Sequence, residues 1–481
     1  MMKRLKLPGY SSMIDIKNIK PHWFLLIGII TMALSHMTFN IDIVGWFSMA
    51  PFLIYLSITQ GWKSRLLFVL AFIVAWSIIV LKIITPPIPY MLIFLYSIPI
   101  SLMHLPAYLI WAKYKDRRFS VLLFPAMMVV LEWIQYTFTP FASWGVAAYT
   151  QTQSIYVIQF LSVFGMAGLS FLIYWVNISV TNLILKKERS LIALKLPLAA
   201  LCFVLLFGAM RYEISKSKGV DTITMAAVGT DSEIGGLPLP PVDQNEKDIE
   251  EIFNRTRIAS DFGAKIVVWN EGAFYLEPAN EEFWVESFQK LANESKVTLV
   301  ASYILLVSES PFRYENKYLL IDSKGNIINS YLKHQPVPGE PAIKGTAPLQ
   351  IFEVEGTNLG GAICYDYDFP YLAKEYGNIN ADIVAVPSSD WRGIDPLHSR
   401  MAAFRAVEQG HSVLRSTRFG LSAAINPFGE MSSQMSSFDS NNKIMISQLP
   451  LKGITTVYSL IGDIIVYLCI AFFLFFLFVK K

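Results

Sequence analysis

The stretch Leu359–Pro370, LGGAICYDYDFP, opens with small and apolar residues suited to a buried strand and turns polar directly after Cys364. A cysteine on that border is backed by packed structure and faces a polar space. The two other cysteines, Cys202 and Cys469, lie inside long apolar runs, where a thiol behaves as a small hydrophobe. Cys364 is the sulfur placed for chemistry, and its neighbourhood outweighs the plain alternative of a buried packing residue.

Around this stretch the composition is that of an α/β domain. Apolar, β-rich runs predict strands at Thr222–Val228, Lys265–Trp269, Val297–Ile304, Tyr318–Ile321, Ile327–Leu332, Leu359–Cys364, Asp382–Val386, Ser412–Ser416 and Leu421–Ile425. Ser323-Lys324-Gly325-Asn326 predicts a hairpin turn. Helical patterns fall at Asn245–Ser260, Glu281–Glu294 and Pro396–Gln409, so helices pack on a mixed sheet. Gly235–Asp243, GGLPLPPVD, reads as an exposed loop.

Three strands end on reactive residues: Asn270-Glu271 after KIVVW, Lys333-His334 after IINSYL, and Cys364-Tyr365-Asp366 after GGAI. Strand ends in α/β sheets converge on one edge, where ligands bind. A free thiol has a pKa near ~8.5, so only a few per cent is thiolate at neutral pH. A neighbouring carboxylate can take the proton as attack begins, and an ammonium can donate to the oxyanion that forms. Singly, Glu271 and Lys333 would be solvated surface residues; their joint placement makes them candidates.

The 481 residues include 53% hydrophobic and 16% charged side chains, against ~25% charged in soluble domains, which indicates a membrane protein. A formal net charge of +3 gives no case for nucleic acid. Three cysteines form no disulfide framework. Apolar runs predict spans near His22–Phe39, Ile43–Thr59, Leu66–Ile84, Tyr90–Trp111, Val121–Phe138, Ile155–Leu185, Leu191–Met210 and Val457–Val479. Ile155–Leu185 is too long for one perpendicular crossing, so its first turns are expected along or outside the membrane surface. The first run follows Lys3, Arg4, Lys6, Lys17 and Lys20, but further runs succeed it at once without a small-residue cleavage site. The domains follow: 1–215, an N-terminal bundle of about seven spans; 216–453, the α/β domain; 454–481, a last span.

Lys63 and Arg65, then Lys113, Lys115, Arg117 and Arg118, then Lys186, Lys187 and Arg189 occupy alternate loops, while Asn40–Asp42, Thr85–Pro89 and Thr139–Ser154 contain no Lys or Arg. Positive loops stay cytoplasmic, so both termini are expected inside and residues from about Arg211 to Thr456 outside. Lys82 and Asp463 are expected to snorkel to the interface. Glu132 is the carboxylate nearest a membrane interior, a functional candidate or an interfacial anchor.

Glu271, Lys333 and Cys364, each after a strand, resemble the Glu–Lys–Cys triad of the nitrilase superfamily. EWIQYTFTPFASWGVAAYTQT at Glu132–Thr152, FGMAGLSFLIYWVN at Phe164–Asn177 and VVWNEGAF at Val267–Phe274 narrow the resemblance to its membrane-embedded branch, the bacterial apolipoprotein N-acyltransferases. YLKHQPVPGE at Tyr331–Glu340, ICYDYDFP at Ile363–Pro370, RAVEQGHSVLRSTRFGLSA at Arg405–Ala423 and TVYSLIGD at Thr456–Asp463 are similar in the same way. Asn270, where the family usually has proline, Gln335-Pro336 in a shortened loop, Asp366 for a glutamate, and Val228–Asp231 depart from the pattern.

The resemblance implies a membrane α-helical bundle of about eight transmembrane helices carrying a nitrilase-like α/β (αββα) extracytoplasmic domain. It further implies Cys364 as nucleophile, Glu271 as base and Lys333 as third triad member. Glu340, Tyr365, Asp366 and Trp391 would be supporting or substrate-binding residues. The implied reaction moves an acyl chain from a membrane phospholipid, through a cysteine thioester, to the N-terminal amine of a diacylated apolipoprotein. It would proceed at the bacterial inner membrane without cofactor, metal or nucleic acid. No zinc-ligand spacing or phosphate-cradling loop stands out. His334, His398 and His411 read as structural or polar surface residues. The alternatives are a membrane-tethered amidase with the same triad, a Cys364–histidine pair, and a non-catalytic scaffold.

Overall fold

The computed structural model describes residues 19–185, 190–217, 219–234 and 237–478. Lys3, Arg4, Lys6, Lys17, Lys186, Lys187, Arg189, Lys480, Lys481 and the glycines Gly235 and Gly236 lie outside the described residues. Of the loop expected at 235–243, Leu237 is exposed, Leu239 packs on a small cluster with Tyr275 and Tyr314, and Val242 already begins a helix.

Among the described residues five helices are long and apolar enough to cross a membrane: Trp62–Leu81, Leu92–Tyr114, Ser120–Phe138, Leu161–Ile184 and the segment Leu194–Lys216. Shorter apolar helical stretches lie at His22–Ser35, Asp42–Ile58 and Ile464–Phe478. Several expected spans are shorter than their apolar runs or are broken. The first ends at Ser35. The second divides into Asp42–Gly45 and Ala50–Ile58. Ile155–Leu185 divides into Ile155–Ile158 and Leu161–Ile184, and bends again at Gly165, whose φ of 60° suits glycine. The last divides into Val457–Ile461 and Ile464–Phe478 at Gly462.

These breaks absorb the charges that hydropathy left awkward. Asp463 sits at the last break, accepting from Tyr458 Oη at 2.8 Å and lying 3.3 Å from Lys374 Nζ. Lys82 Nζ donates to the carbonyls of Ala33, at 2.7 Å, and His36, closing the C-terminus of the first helix. Both are held by partners within the protein. Glu132 is buried and accepts from the Ala147 N–H at 2.7 Å and from Tyr174, while Gln135 one turn on donates to Ala142 and Trp144 carbonyls. The carboxylate anchors the 139–154 loop rather than an interface.

The rest of the chain forms two mixed sheets packed face to face. The first runs Ile444–Pro450, Thr222–Val228, Ile266–Trp269, Thr298–Glu309, Phe312–Ile321, Ile327–Leu332, with Tyr275–Leu276 beside Thr298–Glu309. The second runs Met431–Ser436, Leu421–Ile425, Ser412–Arg418, Ile383–Ser389, Thr357–Gly361, Phe352–Val354. Alternation along Thr222–Val228 explains the layering: Ile223, Met225 and Ala227 face the second sheet, whereas Ala226 and Val228 pack under Ile249, Ile252 and Phe288 of the helices Val242–Asp261 and Glu281–Ser295. Pro370–Asn378 and Leu397–Gln409 cover the other side, completing an αββα sandwich. The turn at 323–326 forms as expected, with Asp322 Oδ1 accepting from the Lys324 and Asn326 N–H groups. Strands Phe352–Val354, Met431–Ser436 and Ile444–Pro450 and helix Pro370–Asn378 carried no sequence signal. All three strands are sheet edges, and MSSQMS has too few apolar residues to reveal a period.

Helix Leu397–Gln409 joins the two halves. Ala402, Ala403 and Ala406 lie against the sheet, while Leu397, Met401, Phe404 and Val407 belong to the apolar core of the helix bundle. A helix apolar on both sides in this way is a buried one. Glu408 adds a polar tie, accepting from the Met166 N–H at 2.7 Å just past the bend at Gly165.

Candidate active site

The Gly360-Gly361 pair lets the Cys364 strand pass between two tyrosines: Tyr318 and Tyr376 both donate to the Gly361 carbonyl, and a Cβ at Gly361 would lie 2.4 Å from the Tyr318 oxygen. After this strand the chain turns sharply into the short 3₁₀ helix Cys364–Asp368. Cys364 itself adopts φ +47°, a strained left-handed conformation for a non-glycine residue. Its thiol is buried and points to the Ser389 carbonyl at 3.4 Å. The Glu271 N–H donates to the adjacent Ser388 carbonyl at 3.3 Å. The end of strand Ile383–Ser389 therefore holds the cysteine turn and the Glu271 turn side by side.

Lys333 Nζ, buried, donates to Glu271 Oε1 and to Glu340 Oε2, both at 2.8 Å. Asn316 Nδ2 links the same two carboxylates, at 2.7 Å to Glu271 Oε1 and 3.0 Å to Glu340 Oε1. Glu340 is saturated, since its oxygens also accept from Tyr314 Oη and the Val337 N–H. Glu271 is not: among the described residues nothing donates to its Oε2.

The electrostatics divide the roles. Burial would lower Lys333, but Glu271 and Glu340 overcome it and hold the side chain as an ammonium, its pKa well above the usual lysine value. Burial would raise Glu340, yet Lys333 and the hydrogen bonds keep its carboxyl below the usual range. Burial, then the negative charge of Glu271, pushes the Cys364 thiol well up against the opposing pull of Lys333. The resting sulfur is therefore a neutral thiol, and its proton has to leave during attack.

Cys364 lies in the wall of a cavity of about 160 Å³. The α/β domain contributes Val337, Tyr365, Trp391 and His398, and the bundle contributes Val80, Leu92 and Ile100 from its helices and Ile84 and Phe141 from its loops. Trp391 Nε1 donates to the Ile83 carbonyl at 2.6 Å, and Tyr365 Oη to the Pro140 carbonyl, so both pin the domain to the bundle. Asp366 points away from this space. Its Oδ2 accepts from the Ile363 N–H at 3.0 Å and Tyr331 Oη at 2.8 Å, and its Oδ1 from the Gln335 N–H at 2.5 Å, which fastens the cysteine turn to the 333–340 loop.

Next to the thiol lies a network that sequence reasoning missed. The Cys364 sulfur, an Asp390 oxygen and a His398 nitrogen are all within 4.8 Å of one another. His398 is neither surface nor merely packing: Nδ1 is 2.7 Å from Asp390 Oδ1 and Nε2 is 2.8 Å from Asp368 Oδ1. Arg415 grips Asp390 with two hydrogen bonds of 2.7 and 2.9 Å. These donors are committed to one another and do not offer a metal an open set of ligands. Neither imidazole nitrogen is left to take a proton from sulfur, which argues against a Cys364–histidine pair. His334 and His411 are structural: His334 stacks on Tyr331, and His411 is buried against Tyr367.

Residues 212–458 match the family model described as carbon-nitrogen hydrolase, over half of the chain. The chain belongs to the carbon-nitrogen hydrolase family. Residues 29–179 match the model described as apolipoprotein N-acyltransferase N-terminal domain. Among similar proteins, an apolipoprotein N-acyltransferase of Borreliella burgdorferi is 25% identical over 373 residues, covering 69% of this chain and 70% of that one. One of Rickettsia prowazekii is 23% identical over 424 residues, covering 80% and 83%. Among solved structures, an amidase from Nesterenkonia sp. is 18% identical with a TM-score of 0.41, over 49% of this chain and 92% of that chain.

Asn316 also went unnoticed, because polar FRYEN obscured the first half of strand Phe312–Ile321. Alternation carried back from Tyr318 would have set Asn316 on the same face of the sheet. Asp368 lies within the Ile363–Pro370 motif and Asp390 directly precedes Trp391, but nothing in their spacing joins them to His398.

Proposed function

We propose that this protein is an apolipoprotein N-acyltransferase that moves an acyl chain from a membrane phospholipid to the N-terminal amine of a diacylglyceryl-cysteine. The observation that carries this reading is the cavity, which has a nucleophile in its wall and an apolar lining drawn largely from the helix bundle. Such a lining suits a hydrocarbon chain and has no use in hydrolysing a small polar amide.

In the proposed mechanism Cys364 Sγ attacks the ester carbonyl of the phospholipid as Glu271 Oε2 receives the thiol proton. The Lys333 ammonium stabilises the oxyanion, and Glu340 and Asn316 hold the pair in register. The C–O bond breaks, the lysophospholipid alcohol leaves with the proton from Glu271, and a thioester remains. The acceptor amine then attacks the thioester, Glu271 takes its proton, and the sulfur leaves as the thiol. Tyr365 and Trp391 serve as walls that guide the acyl chain.

The finer membrane arrangement belongs to the same proposal. It comprises eight crossings with domain limits at 1–215, 216–453 and 454–481, both termini in the cytoplasm, and the catalytic domain outside a bacterial inner membrane. The alternation of Lys- and Arg-bearing loops supports it. Both substrates are amphiphiles, so a site opening toward the bundle would meet them by lateral diffusion.

The test is mass spectrometry of the purified protein after exposure to phospholipid. An added acyl mass on the peptide containing Cys364, persisting until a diacylated lipopeptide arrives, is the expected result. Absence of any adduct would defeat the acyl-transfer reading, and hydrolysis of an amide substrate by protein that forms no adduct with phospholipid would favour the amidase.

A further inference from the structure

We propose that His398 is a positioning residue for the nucleophile: clamped as an imidazolium between Asp368 and Asp390, it keeps the buried network beside Cys364 electrically neutral, so that the thiol can surrender its proton. The inference rests on Cys364 being the attacking sulfur and goes beyond the triad reading.

The network draws on separate parts of the fold. Asp368 ends the turn that begins with Cys364, Asp390 follows strand Ile383–Ser389, Arg415 lies on strand Ser412–Arg418, and His398 opens helix Leu397–Gln409. From the bundle side, Trp144 Nε1 donates to Asp368 Oδ2 at 2.9 Å, and Ser143 donates to the Asp368 carbonyl through its hydroxyl at 2.7 Å. Arg415 is steadied by Ser399 and Thr417 hydroxyls at 2.8 and 3.1 Å. All four ionisable members are buried. The charged and titratable groups around His398 are thus Asp368, Asp390, Arg415 and the thiol itself, with the Trp144 ring 5.4 Å away.

The charges decide what the histidine does. With His398 protonated, two carboxylates face two cations and cancel. Without that proton, Asp368 and Asp390 outnumber Arg415, and one net negative charge remains within a few ångströms of the sulfur. Like charge in a buried space opposes thiolate formation. Burial and the Arg415 guanidinium, whose Nη2 lies 2.7 Å from Nδ1, pull the imidazole toward neutrality, but Asp368 and then Asp390 overcome them and raise its pKa to about 9, so the balanced state holds at neutral pH. With both nitrogens engaged, the ring acts through charge and not as a base.

The experiment is the rate of iodoacetamide alkylation of Cys364 in the full-length protein in detergent micelles, followed on its peptide from pH 6 to 10. For the unaltered protein the logarithm of the rate should rise with unit slope and flatten around pH 9 as His398 loses its proton. A straight line of unit slope through pH 9 would overturn the proposal. His398→Gln should slow alkylation at pH 8 at least tenfold. Adding Asp368→Asn restores neutrality while leaving the Asp390–Arg415 pair intact, so the double variant should recover most of that rate. A purely structural histidine would not be rescued by a second substitution, and a double variant no faster than His398→Gln alone would sink the idea. Acyl-thioester formation is measured in parallel on the unaltered protein: its absence would defeat the acyl-transfer reading while the alkylation profile still judged the network.

Discussion

Lys333 Nζ lies 2.8 Å from Glu271 Oε1, and among the described residues Oε2 is the oxygen of Glu271 without a donor. Glu340, equally close to the same ammonium, has both oxygens occupied. Two glutamates flanking one lysine are in this way chemically unlike. One keeps an oxygen open, as the proposed mechanism asks of its base, and the other is fully spent in holding the lysine.

Glu271→Gln should therefore remove the base and slow thioester formation by about 10²–10⁴-fold. Glu340→Gln should cost on the order of tenfold, because it loosens the geometry without removing the base. Intact-mass measurement of the acylated protein over time distinguishes the two; equal losses would contradict the assignment.

Lys333→Met leaves two buried carboxylates facing each other without a cation. Removing one partner of a buried ion pair costs about 3–5 kcal/mol, so thermal unfolding in detergent should fall markedly. Combining Lys333→Met with Glu340→Gln should recover part of the stability and none of the activity.

The folded-state pKa of His398, about 9, stands above its unfolded value near ~6.5. A group raised on folding contributes stability that is complete below the unfolded pKa and lost as pH rises through the folded one. The melting temperature should decline between pH 6.5 and 9 by the equivalent of about 3 kcal/mol. His398→Gln should remove this dependence, which calorimetry across that window would reveal.

Gly361→Ala would set a methyl group 2.4 Å from the Tyr318 hydroxyl, inside the sheet that leads to the nucleophile. Overpacking of this kind costs about 1–3 kcal/mol. Gly361→Ala combined with Tyr318→Phe should be less destabilised than Gly361→Ala alone, as read from unfolding midpoints.

Ile100 is buried in the cavity wall contributed by helix Leu92–Tyr114. Ile100→Trp should shorten the space and shift the preferred donor toward shorter acyl chains, raising KM for long ones more than it lowers kcat. Competition between phospholipids of two chain lengths measures this directly; an unchanged ratio would mean that the chain lies elsewhere.

Much of the domain was legible because burial leaves a period. Thr222–Val228, Ile327–Leu332 and Leu421–Ile425 occur with the bounds that their apolar runs indicate, and Glu271, Lys333 and Cys364 follow strands whose ends meet. The bundle was legible by hydropathy but not in its interruptions. The bends at Gly165 and Gly462 depend on what packs there, Tyr458 against the first and Lys374 beside the second.

The linear order of residues determined which side chains are candidates for the chemistry and that strands deliver them to a shared edge, because strand period and polarity are local properties. Only the tertiary structure decided which glutamate keeps a free oxygen, that Asn316 bridges both, and that His398 sits between two aspartates beside the sulfur. Those facts depend on which sheet face meets which, and on a helix wedged between sheet and bundle. Packing of that kind is chosen by the whole chain at once and leaves no period in any one segment.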